Sequence, residues 1–202
     1  MKLLEADMPM PMPLFEATPG RAPPRSSPAA LAPPAKPLQA QCRIDSPLGP
    51  LTLAASAAGL TAVRFDHQAH HPGELDAPEA PDHPHLLLAA RELDAYFRGQ
   101  LQRFSLPLDP QGTAFQQAVW QALLQIDSGQ LSTYGAVARG IGRPNAVRAV
   151  GAAIGRNPLG IVVPCHRVVG HNGSLTGYAG GLPRKVALLQ LEGAALTAQA
   201  LR

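Results

Sequence analysis

Ten prolines fall within the first 38 residues, at positions 9, 11, 13, 19, 23, 24, 28, 33, 34 and 37. Each fixes φ and removes an amide donor, so neither a helix nor a sheet can run through this stretch. Residues 1–38 are therefore expected to be a disordered, partly polyproline tail, and folding must be specified by the remainder of the 202-residue chain. That remainder is long enough for one ordinary domain or two small ones with a genuine core. No apolar run approaches the roughly 18 residues that span a bilayer. Met1-Lys2-Leu3-Leu4-Glu5-Ala6-Asp7 places acidic residues where a secretory signal would carry its apolar core, so a cytoplasmic protein without a membrane partner is expected. Two cysteines, Cys42 and Cys165, provide no disulfide framework.

Charge divides the chain. Residues 1–112 carry a net −3 and residues 113–202 a net +6, giving +3 overall. No acid occurs between residues 128 and 191, and the basic half uses separated arginines instead of a lysine tail. Such a surface suits a polyanion met by a folded domain, although a pI near 9.2 also serves solubility alone.

After the tail, β-signals dominate. Segments 42–46, 50–55 and 60–65 read as short strands separated by Pro47-Leu48-Gly49-Pro50 and Ala58-Gly59, an antiparallel meander. A loop rich in Pro, His and Asp occupies 66–83. Pro84 then opens a helix with Leu86, Ala90, Leu93 and Phe97 on one stripe and Gly99 past its end. A last strand over 102–106 is expected to rejoin the sheet. These elements form a small α+β domain over 39–108.

From 109 to 202 the pattern turns helical. Thr113-Ala114-Phe115-Gln116 fits a capping box, and Phe115, Val119, Leu123 and Ile126 form the expected buried face. A second helix spans Tyr134 to Ile141 and a third Pro144 to about Ile154, whose Ala146, Ala149, Gly151, Ala152 and Ala153 allow close approach. Two short helices around a Gly-containing turn, flanked by Arg143 and Arg148, suggest a helix-turn-helix.

The chemistry concentrates at Ile161-Val162-Val163-Pro164-Cys165-His166-Arg167-Val168-Val169-Gly170, where an apolar β-run stops at a proline and a thiol and an imidazole follow. A thiol becomes a strong nucleophile as thiolate, which near neutral pH requires a base or a positive field. His166 is the adjacent base, yet neighbours on an extended strand point to opposite faces. Adjacency alone therefore leaves open a buried structural cysteine beside an unrelated histidine.

The run Pro164-Cys165-His166-Arg167-Val168-Val169, with Tyr134, Arg148 and Asn157 before it and Gly177-Tyr178-Ala179-Gly180-Gly181 after it, closely resembles the O6-alkylguanine-DNA alkyltransferase family of bacterial type. The likeness runs from Phe115 to Gly193 without a gap, and Ser46-Pro47-Leu48-Gly49-Pro50-Leu51 resembles the family's opening strands. The loop 66–83 and the first 38 residues have no counterpart.

The resemblance implies direct-reversal DNA repair, with one irreversible transfer of an alkyl group from guanine O6 to Cys165. It extends to O4-alkylthymine as a second substrate. It implies a winged-helix-like C-terminal domain with a short active-site strand. His166 would act as base through a water, and Glu192, the sole acid after Asp127, would orient it. Tyr134 would stabilise the departing guanine, and Asn157 would brace the turn before the active-site strand.

Arg148 would enter the stack of double-stranded DNA where the nucleotide is extruded. Arg143 would bind phosphate, and small residues including Ala149 and Gly151 would face the minor groove. Backbone groups of Cys165, Val168 and Ala179, with Tyr178 and Gly180, would form the guanine pocket. Where some relatives carry serine, this chain has Ala179, which leaves room for larger alkyl groups.

Some relatives hold zinc in the N-terminal domain, but Cys42 stands alone and His67, His70, His71, His83 and His85 lack ligand spacing. No metal or other cofactor is expected, and a monomer at the nucleoid is. The rival readings are a helix-turn-helix protein that binds lesions without chemistry and a cysteine hydrolase. The Cys165, His166 and Glu192 set opposes the first, and no oxyanion arrangement supports the second.

Overall fold

Alternating apolar side chains draw the first three strands into an antiparallel sheet of order β1-β2-β3, comprising Ala40–Ile44, Leu51–Ser56 and Gly59–Phe65. The computed structural model describes residues 37–69 and 75–196. All but the last two residues of the expected tail lie outside the described residues, as do His70 and His71. The β1–β2 turn forms because Ser46 Oγ accepts from the Leu48 amide at 3.2 Å and donates to the Gly49 carbonyl at 2.5 Å. Gly49, at φ +105°, supplies a conformation that side chains disfavour.

Helix α1 (Pro84–Phe97) starts at a proline whose missing amide costs nothing in a first turn. Leu86, Ala89, Leu93 and Tyr96 are its buried apolar residues, packed with Leu53, Leu60 and Phe65 in one core. The stripe is thus rotated from the expected one, since Ala90 and Phe97 are only half-buried.

The expected strand over 102–106 does not form. That segment covers α1 instead, with the Ser105 amide donating to Glu92 Oε2 at 2.9 Å. The sheet edge is met later, where Leu60 donates to the Pro107 carbonyl and accepts from the Asp109 amide, at 2.9 and 2.8 Å.

Helix α2 (Ala114–Leu123) carries the complete capping box. The Gln116 amide donates to Thr113 Oγ1 at 3.2 Å, and the Thr113 amide to Gln116 Oε1 at 2.8 Å. Trp120, not Phe115, joins Val119 and Leu123 inside, because its indole nitrogen finds the Ala153 carbonyl at 2.9 Å. Strand β4 (Ser132–Thr133) leads into α3 (Tyr134–Gly140), capped by Thr133 Oγ1, which accepts from the Ala136 amide at 3.1 Å. Helix α4 (Val147–Gly155) completes a helix pair with α3. It starts three residues after Pro144, because a turn with Ala146 donating to the Arg143 carbonyl precedes it.

The apolar run 161–163 is not a strand. Ile161 adopts φ +70°, strained for a β-branched residue. Local bonds close the loop: Val162 to Gly160, Val163 to Leu159 and Cys165 to Val163, each 2.8 Å. Cys165–Arg167 form a single 3-10 turn, and the short strand β5 (Val168–Val169) follows, pairing in parallel with β4. Cys165 and His166 therefore do not point to opposite faces as neighbours on a strand would. Helix α5 (Leu182–Leu191) closes the described fold, with Glu192 as its C-cap.

Sheet edge and helical half meet at β3. The Val63 amide donates to the Pro158 carbonyl at 2.9 Å and its carbonyl accepts from Gly160 at 3.0 Å. This anchors the chain segment that leads into the cysteine turn. Among the described residues no helix is long and apolar enough to cross a membrane.

Candidate active site

Cys165 lies on the wall of a cavity of about 220 Å³ that also contacts Tyr134, Gly151, Ile154, Tyr178 and Ala179. The thiol is nearly covered, at 7% exposure. Burial pushes its pKa up, while a hydrogen bond from Asn157 and the Lys185 ammonium act in the opposite sense. The net direction is upward, so the resting group is a thiol and any attack begins with loss of its proton.

The 3-10 turn brings His166 and Arg167 inward next to the cysteine, both buried. His166 Nε2 lies 2.9 Å from Glu192 Oε1, in side chains 0% and 1% exposed. Burial favours protonation of Glu192. The hydrogen bonds and charges of His166 and Arg167 outweigh it and hold the carboxyl well below its usual range. An ionised carboxylate only accepts, so Nε2 carries the proton and Nδ1 holds the free lone pair. Nδ1 is buried and has no hydrogen-bond partner among the described residues. Burial lowers the His166 pKa from 6.5, with Arg167 and Lys185 adding to that and Glu192 opposing it. The ring is accordingly neutral near pH 7 and free to accept a proton.

Arg167 makes a two-pronged contact with the same carboxylate, Nε to Oε2 at 2.9 Å and Nη2 to Oε1 at 2.8 Å. Its Nη1 donates to the Ile126 carbonyl. Glu192 terminates α5, where the dipole disfavours a negative charge. Arg167 and His166 supply the compensation.

Asn157 Nδ2 donates to the Val163 carbonyl at 2.8 Å and reaches Cys165 Sγ at 3.1 Å, while its Oδ1 accepts from the Leu159 amide at 3.0 Å. One side chain thus fixes both ends of the loop before the cysteine and touches the sulfur itself. Lys185, fully buried on α5, donates to the carbonyls of Val168 and Thr176 at 2.6 and 2.8 Å. Burial pushes its pKa down to about 8. It remains mostly charged near neutrality, close enough to favour a Cys165 thiolate.

Of the pocket residues named from sequence, Tyr178 and Ala179 line the cavity whereas Val168 and Gly180 do not. Val168 is fully buried with its carbonyl engaged by Lys185. Gly180 is packed against Tyr178 and Phe65, where a Cβ would approach ring carbons to 2.7 and 3.0 Å. Tyr178 stands edge-on to His166, with centroids 6.4 Å apart. Tyr134 begins α3, and its hydroxyl lies 3.4 Å from the Thr176 carbonyl. A Cβ on Gly151 would sit 3.7 Å from the Tyr134 ring. Arg143, Arg148 and Ala149 are exposed on the α3–α4 pair.

Three contributors escaped the sequence reading. Lys185 carries no local signal that separates it from a surface cation, and Arg167, though it stands in the motif run, carries none for its grip on Glu192. The third comes from loop 66–83: the Ala69 amide donates to the Ala179 carbonyl at 2.8 Å, and Ala69 forms part of the cavity wall. Arg184 fastens the glycine-rich segment from its other side, donating to Leu48 and Gly180 carbonyls at 2.9 and 3.0 Å and lying 4.3 Å over the Phe65 ring.

Two family models match. The 6-O-methylguanine DNA methyltransferase ribonuclease-like domain covers residues 43–110, and the DNA binding domain of the same family covers residues 114–194. The methylated-DNA–protein-cysteine methyltransferase of Mycobacterium tuberculosis is 51% identical over 149 residues, covering 74% of this chain and 89% of its own. That of Mycobacterium leprae is 49% identical over 152 residues, covering 75% and 91%. A crystal structure of Mycobacterium tuberculosis OGT in complex with DNA superposes with TM-score 0.73 at 49% identity, covering 76% of this chain and 93% of that one. The cysteine turn, its buried histidine and carboxylate, and the paired helices beside them lie within the matched segments, and the chain belongs to the 6-O-methylguanine DNA methyltransferase family.

Proposed function

We propose that the chain repairs DNA by moving the alkyl group of O6-alkylguanine onto Cys165, once per molecule. The carrying observation is the convergence of Cys165, Tyr134 and Tyr178 on one cavity, backed by a neutral His166 whose Nδ1 has no partner among the described residues. Residues 39–108 act as the N-terminal domain and residues 109–202 as the one that binds DNA and accepts the alkyl group. The substrate is double-stranded and held from its minor groove, and the protein works as a monomer on the nucleoid, in the cytoplasm. The same transfer on O4-alkylthymine would use the same thiol.

His166 Nδ1 takes the thiol proton through a bridging water, and Sγ forms a bond to the alkyl carbon. The bond from that carbon to guanine O6 breaks, and its electron pair passes to the purine. Tyr134 donates a hydrogen bond to the ring as charge develops, which stabilises the transition state more than the ground state. The guanine anion then takes a proton from water, and the imidazolium returns its own proton to the hydroxide left behind. Asn157 holds Sγ in line, and Lys185 offsets the thiolate charge. The thioether has no reversal chemistry among the described residues, so Cys165 is consumed.

Because O6 is unreachable inside a duplex, the nucleotide must leave the stack. Arg148, near the start of α4 and exposed, fills the gap, while Arg143, Ala149 and Gly151 meet the backbone. Arg148→Ala should leave folding intact and reduce transfer from alkylated duplex about 10–100-fold, the loss of one stacking and charge contact. Transfer from a free O6-alkylguanine base should hold its wild-type rate; equal loss on both substrates would place Arg148 in the chemistry and not in extrusion. The overall proposal is tested by adding excess methylated duplex. Transfer should stop at one equivalent, with guanine restored in an unbroken strand.

A further inference from the structure

We propose that Tyr96, on helix α1 of the N-terminal half, is a positioning residue for the alkyl transfer, through a hydrogen bond that orients the carboxylate behind the base. The inference rests on the alkyl-transfer reading above. The Tyr96 hydroxyl donates to Glu192 Oε1 at 2.8 Å across 96 residues of sequence. Tyr96 is 2% exposed, and its ring packs against Phe97 and Phe104 with centroids 5.5 and 5.4 Å away. The ring therefore has a packing role, but the hydroxyl has one described partner, and that partner is the carboxylate.

Glu192 Oε1 receives three donors: Tyr96 at 2.8 Å, Arg167 Nη2 at 2.8 Å and His166 Nε2 at 2.9 Å. Three directions onto one oxygen fix where the carboxylate can point, and with it the plane of the imidazole. They also compete. Electron density drawn toward the phenol is withheld from His166, which weakens the carboxylate's support of the imidazolium. Burial and the neighbouring Glu192 charge raise the Tyr96 pKa, so the hydroxyl keeps its proton throughout the working range.

The other charged or titratable groups around His166 are accounted for. Glu192 and Lys185 come from α5, Arg167 and Cys165 from its own turn, and Tyr178 from the glycine-rich segment. Among the described residues, Tyr96 alone comes from the N-terminal half. This gives that half a part in the chemistry beyond supporting the fold.

The test is the pH dependence of single-turnover transfer by the full-length protein, normalised to folded, titratable Cys165. In Tyr96→Phe the ring contacts remain and only the hydroxyl is lost. The plateau rate should fall about 10-fold, and the acid limb set by His166 should move to higher pH by roughly 0.3–1 unit. Replacing Tyr96 with 3-fluorotyrosine, a stronger donor of the same shape, should move that limb to lower pH. Phe104→Leu, which loosens the same ring packing without touching the hydroxyl, should lower thermal stability and leave the limb in place.

An unchanged plateau and limb in both Tyr96 variants, or a matching limb shift in Phe104→Leu, would overturn the proposal while wild-type transfer stood. Absence of transfer by the wild type would instead refute the parent reading.

Discussion

Cys165→Ser is expected to bind alkylated duplex DNA with wild-type affinity and transfer nothing, a loss of at least about 10⁴-fold. Serine fits the site: the position is 7% exposed, and Asn157 Nδ2, 3.1 Å from Sγ, can donate equally to a hydroxyl. Folding should therefore be kept, and the exposed Arg143 and Arg148 surface is untouched. What changes is the nucleophile. A hydroxyl is far less acidic than a thiol, and a neutral imidazole whose own pKa is depressed cannot ionise it usefully. Binding by gel shift and transfer by labelled methyl count separate the two properties. Residual transfer at a substantial rate would mean that another side chain accepts the alkyl group.

The second large effect is at Glu192. Glu192→Gln keeps the shape but removes a charge that Arg167 engages at 2.9 and 2.8 Å and His166 at 2.9 Å. It strands the guanidinium of Arg167 in side chains 6% and 1% exposed. Breaking a buried pair from one side costs about 3–5 kcal/mol, so thermal or denaturant unfolding should show a loss of that order. Transfer should fall about 100-fold per folded molecule, because the imidazole loses both its tautomer and its orientation.

The pH consequence follows from the same carboxylate. Its folded pKa is depressed against an unfolded value of about 4.3, so its contribution is complete above that value. The contribution is lost as pH falls through the folded value. Wild-type stability should consequently decline below about pH 4, and Glu192→Gln should show a shallower decline there. An identical acid slope in both proteins would contradict the ion pair's role.

Much of this site was legible where the signal is local. Thr113 and Gln116 wrote the capping box, Pro84 opened α1, and Gly99 at φ +72° follows its end. Glu192 was conspicuous as the single acid after Asp127, at a helix terminus that disfavours it. The run 161–163 misled because an apolar stretch reads alike in a buried strand and in a buried loop. Its conformation is decided by Asn157, which supplies the backbone partners a neighbouring strand would have provided. The strand over 102–106 failed for a related reason: Glu92 on α1 takes the Ser105 amide that a sheet would have used.

Tyr96, Lys185 and Ala69 were beyond reach because their roles are tertiary. Tyr96 sits on a helix face like any core aromatic until α5 arrives beside it, and Lys185 resembles an ordinary lysine in the first turn of a helix. Nothing in loop 66–83 announces that the Ala69 amide will meet the Ala179 carbonyl.

The most direct measurement is the mass of the peptide containing Cys165 after incubation with duplex DNA carrying O6-methylguanine. The account predicts a gain of one methyl group on Cys165 in every active molecule, with no modification of Cys42 and no gain after a first saturating exposure. An unmodified Cys165 alongside repaired guanine, or guanine repaired in excess of the protein present, would contradict it.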